Sequence, residues 1–226
     1  MTDHGEVYTH PREVNAMLDL VKTETERVDS TFLEPACGTG NFLVEILSRK
    51  LAVVAQRYLK SQLEYERKAV LAISSLYGID ILADNIVICR ARLFDVFNAQ
   101  YSALYKAKCK ERCRNTVRYL LSRNILHGDA LSLKTVADSS ATVSVSGVER
   151  LTTSSRTTPI IFSEWKFPFN DSRIKRHDYV FEEIFPPTDD LFTASTPRND
   201  LGEIPFITQS VKNYPLIHFL EVVNAK

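Results

Sequence analysis

Apolar positions along the chain alternate between two spacings. After Val7-Tyr8-Thr9 and His10-Pro11-Arg12-Glu13, the residues Val14, Met17, Leu18 and Val21 recur at helical spacing. They predict an amphipathic helix with Thr9 as its cap and Pro11 in the first turn. Thr31-Phe32-Leu33-Glu34-Pro35 reads as a short strand, Ala36-Cys37-Gly38-Thr39-Gly40-Asn41 as a glycine turn, and Phe42, Leu43, Ile46 and Leu47 as the start of a helix. That helix runs on in two pieces through Ala52 to Ile73 and ends at Ser74-Ser75. Leu76 to Ile81 is a second strand with an acid near its end, and Ala83 to Gln100 carries Ile86, Val87, Cys89, Leu93, Phe94 and Phe97 as the next helix. A basic helical stretch, Lys106 to Arg123, leads into a third strand, Asn124 to Leu131, which again ends on an acid. Strands alternating with helices predict an α/β fold with a parallel sheet.

Beyond Leu131 the pattern weakens. Ser, Thr, Val and Ala dominate Ser132 to Thr158, which reads as a loop with a small hairpin. Pro159 to Trp165 is a fourth strand, and His177 to Phe185 and Ile204 to Ile207 are two more, separated by Asn, Asp, Pro and Gly turns. Pro215 to Val223 suits a strand or a helix.

Composition narrows the class. With 226 residues, 44% hydrophobic and 25% charged, the chain has enough material for a real core and needs no disulfide staples. Lys and Arg together number 28, as do Asp and Glu, so no whole-molecule field steers it toward nucleic acid; a polyanion has to be met by a local patch. Two patches qualify: the run from Lys106 to Arg123, and the cluster Arg173, Lys175, Arg176, which are the candidate nucleic-acid contacts. The chain has no apolar run near the about 20 residues of a spanning helix and no signal-like start, which predicts a cytoplasmic protein off the membrane. Cys37, Cys89, Cys109 and Cys113 show no C-x-x-C spacing, the histidines show no ligand spacing, and no metal site is expected.

The chemistry concentrates at three strand ends. Glu34 with the glycine turn, Asp80 and Asp129 close consecutive strands, and in an open parallel sheet such ends share the edge where ligands bind. Gly38 and Gly40 let the backbone approach a ligand, Asp80 is placed to accept from both hydroxyls of a ribose, and Asp129 from the amino group of an adenine. A dinucleotide site would want a third glycine where Leu43 stands, and a phosphate loop would want a lysine after the glycines. A cationic, phosphate-free nucleoside suits the acids better, with Glu34 facing the sulfonium or amino end of S-adenosyl-L-methionine.

F-L-E-P-A-C-G-T-G-N-F-L at 32–43, Y-G-I-D-I at 77–81 and G-D-A-L at 128–131 resemble the cofactor half of adenine-specific DNA amino-methyltransferases of restriction-modification systems. The segment Val7 to Arg12 ahead of the glycine turn resembles their cofactor-covering loop and marks the gamma order of motifs. The resemblance covers residues 7 to 131 and implies a Rossmann-like S-adenosylmethionine-dependent methyltransferase fold with an irregular or small β-rich C-terminal part. It implies cofactor contacts from Tyr8, Thr9, Glu34, Ala36, Gly38, Asn41, Asp80, Ile81, Asp129 and Ala130. The chain then divides into a cofactor-binding half (1–131), a polar loop or insertion (132–158), and the remainder of the sheet with the C-terminal part (159–226).

The family's N-P-P-Y motif, which receives a flipped adenine through hydrogen-bond acceptors and a stacking ring, is absent. Ser163 and Glu164 as acceptors and Trp165 as the ring are the candidate replacement at the end of the fourth strand. Phe185-Pro186-Pro187-Thr188 keeps the prolines without an acceptor ahead of them. Only 95 residues follow Leu131, too few to finish the sheet and add a target-recognition domain. Expected, therefore, is a DNA adenine methyltransferase that draws target recognition from a protein partner. The alternatives are a non-catalytic S-adenosylmethionine-binding subunit, and a methyltransferase for protein or small molecules.

Overall fold

The computed structural model describes residues 9–136, 157–169, 171–184 and 209–224. Helix α1 (Pro11–Asp19) starts on His10, whose backbone is extended and whose Nδ1 accepts from Arg12 N at 3.2 Å. The cap is therefore His10 rather than Thr9, because Pro11 fixes the first helical position and the residue before it must stay extended. A short α2 (Lys22–Glu26) leads to β1 (Phe32–Glu34). The long helical stretch does divide: α3 spans Asn41–Tyr58 and α4 Gln62–Ser74, with Ser61 Oγ accepting from Glu64 N at 3.4 Å to begin the second piece. Then come β2 (Leu76–Asp80), α5 (Ala83–Tyr105), a 3-10 turn at Lys106–Lys108, α6 (Glu111–Asn124), β3 (Ile125–Asp129) and β4 (Lys134–Thr135). Lys106 takes a left-handed φ of 50°, which ends α5 and delays α6 to Glu111 instead of letting a helix begin at Lys106.

Strands β1, β2 and β3 are parallel and adjacent in that order, with Glu34 opposite Gly78 and Asp80 opposite His127; β4 turns back antiparallel on β3. Each parallel step is bridged by a helix pair. Right-handed crossovers that always step the same way leave both pairs on one face of the sheet, and α3, α4, α5 and α6 do pack on one another. Their buried side chains, among them Leu43, Leu47, Ile73, Leu93, Phe97 and Val117, share a core with Leu76 and Ile125 of the strands. Tyr77, Ile79 and Leu126 point to the opposite face.

That face is met by the C-terminal residues. Strands β5 (Ile161–Lys166), β6 (Arg173–Val180), β7 (Lys212–Asn213) and β8 (Ile217–His218) form a second, antiparallel sheet around β6. Pro159 to Trp165 thus fails to become a fourth parallel strand; β5 pairs with β6 throughout, from Ile161 opposite Val180 to Lys166 opposite Lys175. An apolar run specifies a strand but not its neighbour, and the short connection from Lys166 to Arg173 brings β6 alongside as a hairpin. Strand β6 starts at Arg173 rather than His177 and ends at Val180, giving way to a 3-10 turn at Phe181–Ile184. Phe162 and Phe181 close over Ile79 together with Ile160. A last 3-10 turn, Phe219–Asn224, lies against α6, where Thr116 Oγ1 donates to Phe219 O at 3.0 Å. The expected strand at Ile204 to Ile207, and Phe185 to Thr188, lie outside the described residues.

Candidate active site

The chain leaves β1 at Glu34 and enters α3 at Asn41 through a turn with two left-handed glycines, Gly38 (φ 50°) and Gly40 (φ 88°). Strand β2 holds it from one side: Cys37 N donates to Ile79 O at 2.9 Å, and Gly38 N to Asp80 Oδ2 at 2.8 Å. The two glycines do different work. A Cβ on Gly40 would stand 2.6 Å from Cys89 Sγ, so Gly40 is demanded by packing on α5; a Cβ on Gly38 would meet nothing within 4 Å, so Gly38 is the one that opens onto free space. Cys37 is buried against Cys89, and that contact first, then burial, pushes its thiol well up, which removes it as a nucleophile.

Asp80 is buried at the tip of β2. Its Oδ1 accepts from Leu82 N at 2.8 Å and Asn85 Nδ2 at 3.2 Å, so with Gly38 N the described residues fill three of a carboxylate's roughly four acceptor positions and leave one. The acid therefore builds the turn before it meets any ligand. Glu34 is half-buried, and desolvation raises its carboxyl above the ordinary value, with Ala36 N at 3.4 Å opposing. Glu34 is the polar side chain in the lining of a cavity of about 240 Å³ between α1, β1 and α3, whose other lining residues, including Met17, Val21, Phe32 and Phe42, are apolar. Asp129 stays below the ordinary value through bonds from the Ser132 side chain and from Leu131 N at 2.9 Å.

Ile81 is 54% exposed beside Asp80, and the Nε2 of His127, the residue opposite Asp80 in the ladder, lies 3.0 Å from Ile81 O. Asn41 Nδ2 donates to Thr9 O at 3.3 Å, which ties Thr9 to the start of α3 beside the turn. Thr9, Glu34, Ala36, Gly38, Asn41, Asp80, Ile81, Asp129 and Ala130 consequently collect at the C-terminal edge of the three parallel strands; Tyr8 lies outside the described residues. The sequence reading missed Asn85 and Arg92, both on α5, whose bonds to Asp80 and to the turn leave no local pattern.

The candidate adenine pocket is not assembled. Ser163 is 2% exposed, donates to Asp178 Oδ1 at 2.8 Å and accepts from Arg176 Nε at 3.0 Å. Trp165 is 7% exposed and its indole donates to Asn124 Oδ1 at 2.8 Å, so its ring belongs to the core and is not a stacking surface. Glu164 points outward to Lys166 at 3.0 Å. The same alternation corrects the basic cluster: Ile174, Arg176 and Asp178 of β6 face inward, and Arg176 is 5% exposed and ion-paired to Asp178 at 2.7 Å. Arg173, exposed, pairs with Asp171 at 2.6 Å, and Lys175 is half-buried. On α6 and its approach, Arg114 and Arg118 are paired with Glu111, and Arg112 with Glu221.

A family model described as MmeI, DNA-methyltransferase domain, matches residues 11–149, a span that includes the whole parallel sheet and the glycine turn. The chain belongs to this family. MmeI-type domains are DNA methyltransferases of restriction-modification systems, and the match encloses every residue of the edge just described except Thr9. No curated protein and no solved structure matches the chain. Among its described residues no helix is long and apolar enough to cross a membrane.

Proposed function

We propose that this MmeI-type domain binds S-adenosyl-L-methionine at the C-terminal edge of β1, β2 and β3 and serves methylation of the adenine amino group in cytoplasmic DNA. The observation that carries the reading is the union of Gly38, whose Cβ direction is open, with Glu34, Asp80 and Asp129 on one edge. An acid-rich edge suits a cation and repels a phosphate. Asp80 keeps one acceptor position for a ribose hydroxyl, exposed Ile81 offers an apolar surface for a base, and Asp129 accepts from an exocyclic amine. Thr9 is tied to Asn41 beside this edge. When bound, the cofactor supplies an electrophilic methyl group on a sulfonium. The chain's own task is positioning, with the ionised Glu34 holding the cationic end.

Binding of the base is a separate matter. Because Ser163 and Trp165 are committed to the core, the described residues of β5 offer an adenine no acceptor pair and no ring. That observation favours a second reading, in which the chain supplies the cofactor site and a protein partner supplies the base pocket and target recognition. Two measurements test both readings: calorimetric titration with S-adenosyl-L-methionine, and labelled-methyl transfer offering DNA, RNA and protein in parallel. Saturable binding with transfer to DNA only on addition of a partner is the expected pattern. Failure to bind the cofactor overturns the site, and brisk transfer to DNA by the isolated chain overturns the need for a partner.

A further inference from the structure

Arg92 projects from α5 toward the glycine turn. Its Nη1 lies 2.7 Å from Thr39 O, 3.1 Å from Thr39 Oγ1 and 2.8 Å from Asn41 Oδ1. Thr39 is the residue between the two left-handed glycines, where the backbone is least determined by its own sequence. Asp80 holds the turn at Gly38; Arg92 holds it at Thr39 and at the first residue of α3. The contact with Asn41 has a second effect. With Oδ1 committed to a guanidinium, which only donates, the amide is oriented so that Nδ2 is the end that meets Thr9 O.

Helix α5 does not need Arg92 to stay in place, since Ile86, Cys89, Leu93 and Phe97 already bury one of its faces. We propose that Arg92 is the positioning residue of the cofactor edge: one guanidinium nitrogen sets the turn at Thr39 and, by orienting the Asn41 amide, clasps Thr9 to it. The inference deepens the functional reading and rests on it for what the edge binds, but its geometric half stands by itself.

Arg92→Met keeps the aliphatic stem and removes the donors, whereas Arg92→Lys presents an ammonium whose three donors match the three acceptors. Amide hydrogen exchange on the ligand-free chain reads the geometric half. Faster exchange is expected in Arg92→Met at Gly38, at Gly40 and at Val14, whose amide donates to His10 O next to Thr9 at 3.1 Å, with the core amides of α3 and α5 unchanged and the lysine variant close to wild type. Calorimetry with S-adenosyl-L-methionine reads the functional half, where Arg92→Met should lose about tenfold or more in affinity, the scale of hydrogen bonds to a charged group, and Arg92→Lys should recover most of it. Unchanged exchange at the turn, or loosening spread through the α3 and α5 cores, overturns the positioning role. A turn that loosens in a protein whose wild type binds no cofactor leaves Arg92 as the clasp and overturns the cofactor reading instead.

Discussion

Glu34 and Lys50 are both titratable groups that burial has moved, in opposite directions of consequence. For Glu34 the folded chain holds the carboxyl proton more tightly than the unfolded one, so its contribution favours the fold at low pH and is lost as pH rises through the raised value. A cationic ligand needs the ionised form. Affinity for S-adenosyl-L-methionine should therefore fall on acidification sooner than an exposed glutamate would dictate, and Glu34→Gln should bind weakly with that pH dependence gone, as calorimetry at several pH values will show. Lys50 is fully buried in α3, with Nζ donating to Val28 O at 3.3 Å, to Ser75 Oγ at 2.6 Å, and to Ser30 O. Desolvation brings its ammonium from 10.5 down to about 7. Between those values the unfolded chain binds more protons, so stability should rise from pH 7 toward 10. Lys50→Met should lack that rise and be less stable by about 1–3 kcal/mol from the orphaned acceptors, readable by denaturant unfolding at the two pH values.

The strand, turn and helix from Phe32 to Tyr58 place two glycines under different constraints, and substitution should separate them. Gly40→Ala combines a left-handed backbone with a 2.6 Å approach to Cys89 Sγ, so it should cost about 2–4 kcal/mol of stability. Gly38→Ala pays only the backbone part, about 1–2 kcal/mol, but puts a methyl into the open side of the turn. Its larger effect should be on cofactor affinity; equal affinity losses in the two variants would place the ligand elsewhere. At this scale much was legible. The glycine turn, the acid-tipped strands and the split of the long helix all follow from local spacing and turn chemistry. The cap on His10 and the late start of α6 were not, since each depends on a backbone choice at one residue beside a proline or at Lys106.

Across the whole molecule, the C-terminal strands are not an appendage hung on the helical layer. Trp165, Ile174, Phe219 and Val222 belong to the same buried core as α3 to α6, and the indole of Trp165 is bonded to Asn124 at the end of α6. The Arg176–Asp178 pair is closed off by Ser163, Tyr119 and Tyr214, so its charges are compensated on every side. Residues 9–136 and the C-terminal strands should accordingly unfold as one unit. Fluorescence of Trp165, the only tryptophan, and the helical circular dichroism signal should trace superimposable denaturant curves. Separate midpoints would show that the part after residue 158 folds on its own.

What the sequence determined by itself was everything carried by neighbours along the chain: the alternation that makes an α/β sheet, the turn that needs two left-handed residues, and the acids that end the strands. Side-chain period and glycine chemistry act within a few residues, and they survive any tertiary context. What only the tertiary structure decided was which strand lies beside which and which face of a strand is inside. A run such as Pro159 to Trp165 has the same local pattern whether it extends a parallel sheet or pairs as a hairpin. That choice sent Ser163, Trp165 and Arg176 into the core instead of toward a ligand. It also brought Arg92 to a turn 53 residues away, because a long-range contact is fixed by the packing of whole elements and leaves no mark on the local spacing of either partner.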